Sequence, residues 1–288
     1  HEVNPMEPFV RKEGTGPSLY LLRDWMEDTP GLTAGITGRE GGASGPPWTS
    51  LNCGLHVGDN PGAVLRNRAL AAEAAGWDPA AWTCAEQVHG CRVHRVVRAD
   101  RGRGARDAES AIPGTDAIMT DEPGILLASY YADCAPLLFH DPARGAVALA
   151  HAGWRGTVLE IAARTVEAME REFGSRPADI RAAVGPSIGP CCYEVDGPVI
   201  ERALPLAERL AAENGAPVES MIHVTEDGKA RLNLKEMNRQ IMIRSGIMPG
   251  RIVFSSFCTG CRTDLFYSHR REGGRTGRMA SFIGMRER

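Results

Sequence analysis

The chain has 288 residues, 43% hydrophobic and 24% charged, which supplies a packed core and excludes a disordered segment. Lys and Arg number 33 against 36 Asp and Glu, a formal charge of -3, so there is no global electrostatic footprint for nucleic acid or an anionic membrane. No run approaches the ~18 apolar residues of a membrane span, and eight cysteines are too dilute for a disulfide scaffold.

His1 to Pro8 has neither the basic nor the apolar part of a secretory signal. Residues 1–10 are expected to be an expression scar and a disordered start, 11–288 a single domain. The expected location is the cytoplasm, with the thiols reduced. From Gly35 to Pro61 the chain is rich in Gly, Pro, Ser and Asn, which disfavours regular elements and predicts a long loop. Ala63 to Ala75, with Gly76 past its end, has helical spacing. Arg92 to Val97 alternates as a strand, and the polar Arg98 to Pro113 reads as a mobile loop.

Short apolar runs at Ala117–Met119, Ile125–Tyr131, Pro136–His140 and Ala146–Ala150, split by turn residues, predict buried strands. Val158–Phe173 is amphipathic at helical period. Beyond it the pattern predicts a strand at Ile180–Val184, helices at Ile200–Glu213 and Leu234–Ser245, and a strand at Arg251–Phe254. Strands and helices are interleaved without a Gly/Pro-rich linker, which favours one α+β domain: a mixed β-sheet core with helices packed outside.

His89, Cys134 and His151 stand beside predicted strand ends, where sites are usually built. Two imidazoles and a thiolate make a sensible zinc set that leaves a fourth position for water. The bland alternative is a buried Cys and two satisfied histidines. The same residues also allow Cys134 as a nucleophile with His151 as its base. Cys258-Thr259-Gly260-Cys261 is a lone C-x-x-C and Cys191-Cys192 an adjacent pair. A structural zinc site needs two pairs at suitable distance, so the default expectation is reduced structural thiols. No His-x-Glu, Walker, dinucleotide or H-E-x-x-H motif is present, which removes the best support for the usual zinc deaminases, P-loop NTPases, Rossmann dehydrogenases and zincins. The eight histidines include no His-x-His, the pairing on which multicopper oxidases lean. Arg39 in the Gly-rich loop and Arg155 just after His151 are the arginines best placed to meet an anion.

Several blocks then carry a resemblance: Ser50-Leu51-Asn52-Cys53-Gly54, Gln87-Val88-His89-Gly90, Thr115-Asp116-Ala117, Ala132-Asp133-Cys134-Ala135-Pro136, His151-Ala152-Gly153-Trp154-Arg155-Gly156 and Arg270-Arg271-Glu272-Gly273. In order, they resemble the YfiH/YlmD family, once labelled polyphenol oxidase or laccase domain, over about Gly35 to Gly284. The resemblance implies a YfiH-like α+β fold related to the Cys-His deamidating toxins, and zinc, with copper as the other candidate, held by His89, Cys134 and His151. It implies purine nucleoside phosphorylase activity on adenosine, inosine and guanosine with phosphate, alongside methylthioadenosine phosphorolysis and adenosine deamination. Its partners would be small purine nucleosides and phosphate, with no nucleic acid and no membrane. On motif position and chemistry, Asp133, Cys134 and Arg155 are expected to be catalytic, and Arg39, Asn52 and Arg155 to bind substrate and phosphate. The rival readings are a cysteine hydrolase of a cell-wall precursor using Cys134 and His151, a copper-dependent polyphenol oxidase, and a non-catalytic binding protein with structural zinc.

Overall fold

A computed structural model describes residues 6–288. Two six-stranded mixed sheets form the centre. The first runs Phe9–Arg11, Leu19–Leu22, Leu32–Thr37, Met279–Met285, Ile125–Tyr131 and Trp82–Cys84; the second runs Ile252–Phe254, Arg181–Val184, Ala135–Asp141, Ala146–Ala152, Ala117–Thr120 and Val93–Arg95.

Strand periodicity explains the layering, because alternate side chains leave opposite faces. Ile125 and Leu127 of the first sheet meet Leu138, Val147 and Leu149 of the second in a core between the sheets. Ala146, Ala148, Ala150 and Ala152 point the other way, under the helices Ile161–Phe173, Gly197–Asn214 and Leu234–Arg244. A smaller sheet of Glu194–Val195, Ala230–Leu232 and Ile222–Val224 extends that side. Leu126 and Ala128 turn outward onto the helix Pro61–Ala74, Trp77 and Trp82. The α+β fold with helices outside is therefore the one observed. No helix among the described residues is long and apolar enough to cross a membrane.

The differences from the sequence expectation have physical causes. The predicted loop begins at residue 38, because Gly35 lies inside the strand Leu32–Thr37. A Cβ at Gly35 would sit 2.5 Å from Tyr20 O, so this glycine permits close strand approach and does not break the strand. Gly284 does the same in Met279–Met285, where a Cβ would meet Ile125 O at 2.5 Å. The helix expected over Val158–Phe173 is two, Trp154–Val158 and Ile161–Phe173, separated by Glu160 in the left-handed region at φ 60°. Glu160 pairs with Arg244 of a neighbouring helix.

At the N-terminus, Phe9–Arg11 pairs antiparallel with Leu19–Leu22, so ordered structure starts before residue 11. His1 to Pro5 lie outside the described residues. The segment Arg98–Pro113 is packed as well as polar: Gly104 O accepts from Arg68 Nη1 at 2.8 Å, and Ala111 and Ile112 are buried.

Candidate active site and metal centre

Antiparallel pairing of Ala135–Asp141 with Ala146–Ala152 sets Pro136 opposite His151. His151 shares the inner face with Val147 and Leu149, and Cys134 leads into the facing strand. His89 arrives from the turn after Trp82–Cys84, in the left-handed region at φ 60°. One ligand atom from each of His89, Cys134 and His151 lies within 4.8 Å of the others, and the two imidazole centroids are 4.8 Å apart at 70°. Gly153 makes room for them: a Cβ there would sit 2.9 Å from Cys134 Sγ and 3.3 Å from His89 Nδ1.

Asp116 builds this arrangement. Its carboxylate accepts the backbone N–H groups of Val88, His89 and Gly90 at 3.0, 3.0 and 2.9 Å, and its Oδ2 lies 2.8 Å from His151 Nδ1. One buried carboxylate thus pins the strained turn carrying His89 and orients the imidazole of His151. Burial opposes charge on Asp116, but the bond to His151 and the backbone donors outweigh it and lower its pKa. Burial likewise opposes a proton on His151, yet Cys134 and Asp116 beside it raise its pKa to about 9. The pKa of His89 is lowered by burial and by His151 beside it.

This donor set suits a metal ion. His151 Nδ1 is engaged by Asp116, the carboxylate–histidine relay that fixes tautomer and ring orientation in metal sites. Surroundings that draw a proton onto a buried imidazole also favour a cation, and three protein donors leave a coordination position open.

The donors open onto a cavity of about 570 Å³ lined by Tyr131, Trp154, Tyr193, Arg68, Arg270 and Arg278, among others. These arginines bond to backbone carbonyls: Arg68 to Cys53 and Gly104, Arg270 to Glu194, Arg278 to Thr276 and Gly277. None of the three forms a salt bridge among the described residues, so each keeps its charge available to an anion.

The remaining predicted site residues are placed differently. Arg39 is spent on the fold: it pairs with Glu272 at 3.2 Å, donates to Thr263 O at 2.7 Å and lies over the Tyr267 ring. Asn52 is fully buried and ties Gly54 to Arg278, accepting from both backbone N–H groups. Neither lines the cavity. The Gly-rich setting that suggested ligand contact serves close packing of the loop. Asp133 does line it, but its Oδ1 accepts from Thr259 and Ser268 and its Oδ2 from Arg270 N, each at 2.7 Å. With φ 101°, it holds the backbone before Cys134 against two other loops. Arg155 is exposed beside Trp154, its guanidinium 5.3 Å from that ring, outside the cavity lining. Sequence reasoning passed over Asp116 as a positioning residue and ranked Arg270 and Arg278 below Arg39 and Arg155, although all three of Asp116, Arg270 and Arg278 stand in or beside the motif blocks.

The family described as multi-copper polyphenol oxidoreductase laccase matches residues 33–286. "Purine nucleoside phosphorylase YlmD" of Bacillus subtilis (strain 168) is 43% identical over 99% of this chain and 100% of its own. "Adenosine deaminase RL5" from an unknown prokaryotic organism is 34% identical over 91% of this chain and 96% of its own. Among solved structures, the Bacillus licheniformis hypothetical protein YfiH superposes with a TM-score of 0.88 at 44% identity, covering 96% of this chain and 99% of that one. With near-complete coverage in sequence and in fold, the chain belongs to the YfiH/YlmD family, the laccase-like multi-copper polyphenol oxidoreductase family.

Proposed function

We propose that this protein is a zinc-dependent purine nucleoside phosphorylase converting adenosine, inosine or guanosine and phosphate to free base and ribose 1-phosphate, with methylthioadenosine phosphorolysis and adenosine deamination as further activities. The observation that carries the reading is the His89–Cys134–His151 cluster at the wall of a cavity that holds three arginines without carboxylate partners among the described residues. The names of relatives such as the Bacillus subtilis phosphorylase and the deaminase RL5 supply the substrate class.

His89, Cys134 and His151 would hold the metal, which when bound supplies Lewis-acid polarisation and lowers the pKa of an oxygen ligand. Arg278 and Arg270 take the phosphate role expected of Arg39, Asn52 and Arg155, because fixed guanidinium groups offset anion charge in a partly desolvated site. A phosphate oxygen then bonds to ribose C1′ as the C1′–N9 bond breaks, and the departing base takes its proton from the phosphate or from solvent. Trp154 and Tyr193 offer aromatic faces to the purine. Asp133 and Asp116 keep the walls in register.

The test is chromatography of inosine and adenosine incubated with wild type, His89→Ala and Cys134→Ala, with and without phosphate. Phosphate-dependent base release that both variants lose is the expected result. No purine turnover by metal-replete wild type would sink the proposal. One observation favours a second reading: Asp116, His151 and Cys134 also form a carboxylate–imidazole–thiol series, as in cysteine hydrolases. That enzyme would keep its activity under chelation and lose it to thiol alkylation; a zinc enzyme loses it to chelation.

A further inference from the structure

The strands Arg181–Val184 and Ile252–Phe254 are parallel neighbours, so the loops that follow them leave the sheet at the same end. A bridge between Ser187 and Cys258 keeps the loops together. Cys191-Cys192 lies on one loop and Cys258-Thr259-Gly260-Cys261 on the other. The two thiol pairs, separate in sequence, meet with their four sulfurs within 4.8 Å of one another.

We propose that Cys191, Cys192, Cys258 and Cys261 bind a second Zn2+ ion in a closed tetrathiolate site that braces the cavity wall. Cys261 Sγ lies 3.5 Å from the sulfurs of both Cys191 and Cys192. Four sulfurs placed tetrahedrally at the ordinary zinc–sulfur distance of ~2.3 Å are about 3.8 Å apart. The observed separation exceeds a disulfide bond of ~2.05 Å, and sulfurs this close suit one ion, since a multi-iron cluster holds its cysteines further apart.

Backbone donors converge on one of the four sulfurs. Cys258 Sγ accepts the Gly189 N–H at 3.1 Å, and the N–H groups of Gly260 and Cys261 also point at it. Such backbone donors disperse sulfur charge in metal knuckles. The nearly buried Lys235 donates to Phe257 O at 2.6 Å and lies within Coulombic reach of Cys258, Cys191 and Cys261. Arg271 donates to Gly260 O at 3.2 Å. These two cations offset the net charge of -2 that zinc and four thiolates carry. Binding replaces four S–H bonds with four Zn–S bonds and releases four protons to solvent, with no redox change.

Four protein ligands leave no open position, so the ion is structural. Its reach extends to the candidate active site: Thr259, between two of the cysteines, donates to Asp133 at 2.7 Å, and Tyr193, next to Cys192, lines the cavity. The site stands independently of the proposed activity.

The experiment is metal analysis and cobalt substitution of reduced full-length wild type, Cys134→Ala and Cys258→Ser. The wild type should carry two ions per chain and each variant one. In Cys134→Ala, which lacks the other site's thiolate, cobalt should show the strong thiolate charge transfer and visible bands of a tetrahedral four-sulfur ion. A metal-free Cys134→Ala, a cobalt spectrum without thiolate charge transfer, or a disulfide joining Cys261 to Cys191 or Cys192 in protein kept under reductant would overturn the proposal. The Cys134→Ala spectrum decides the matter even if Cys258→Ser does not fold.

Discussion

Asp116 Oδ2 stands 2.8 Å from His151 Nδ1 and, at 3.0 Å, also accepts the backbone N–H of His89. A single oxygen therefore couples the orientation of one imidazole of the cluster to the position of the other. Asp116→Asn replaces one acceptor oxygen by a donor and weakens both links. Metal affinity should fall by roughly 10- to 100-fold, the usual effect of losing a carboxylate behind a ligating histidine. Chelator competition measures it; unchanged affinity would remove Asp116 from the metal site.

Gly153→Ala tests the space beside the cluster. Its methyl group would lie 2.9 Å from Cys134 Sγ, tighter than packed atoms tolerate, while Gly153 sits at the N-cap of Trp154–Val158, where alanine is poor but survivable. Metal retention should drop by about 10-fold or more. Urea unfolding should show a smaller loss, on the order of 1 kcal/mol. Full metal content in the variant would contradict the crowding.

Arg278 and Arg39 should separate function from fold. Arg278→Gln removes a cavity charge with no carboxylate partner among the described residues and is expected to raise the KM for phosphate by about 10- to 100-fold, the scale of a charge-assisted hydrogen bond. Arg39→Gln breaks the contacts to Glu272 and Thr263 and should cost about 1–3 kcal/mol of stability with an unchanged KM. Steady-state kinetics beside denaturant titration reads both, and the reverse pattern would return the phosphate role to Arg39.

His140 carries a prediction about acid stability. It is fully buried, its Nδ1 accepts from Arg181 Nε at 3.1 Å, and burial together with Arg181 and Arg251 lowers its pKa to about 3. The unfolded chain takes up this proton near pH 6.5 while the folded chain does not. The stabilisation is thus present above pH 6.5 and is lost as pH falls toward 3, by up to about 1.4 kcal/mol per pH unit. His140→Gln should flatten the dependence of the urea midpoint between pH 6.5 and 4. An equal slope in variant and wild type would refute the assignment.

The central strands were legible because apolar runs bounded by turn residues report burial directly. Ile125–Tyr131 has the predicted bounds, and the strand expected over Ala146–Ala150 extends to Ala152, carrying His151 with it. The strands that flank the Gly-rich segment and close the first sheet, Leu32–Thr37 and Met279–Met285, were not legible. Gly35 read locally as the start of a loop, and only the neighbouring backbone at 2.5 Å shows why glycine is required there and at Gly284.

By itself the sequence determined the α+β class and the central strand and helix positions, because periodicity is a local property, and it offered His89, Cys134 and His151 as candidate donors through residue chemistry and the family resemblance. Tertiary structure alone decided what those donors touch. Asp116 reaches residues 26 to 35 positions away, Asp133 joins loops more than 120 residues distant, and the paired cysteines meet across about 70 residues. Arg39 and Asn52, attractive in a Gly-rich segment, are consumed by partners up to 233 residues along the chain. Strand pairing and register set these distances, and spacing along a chain carries no such information until the sheet has formed.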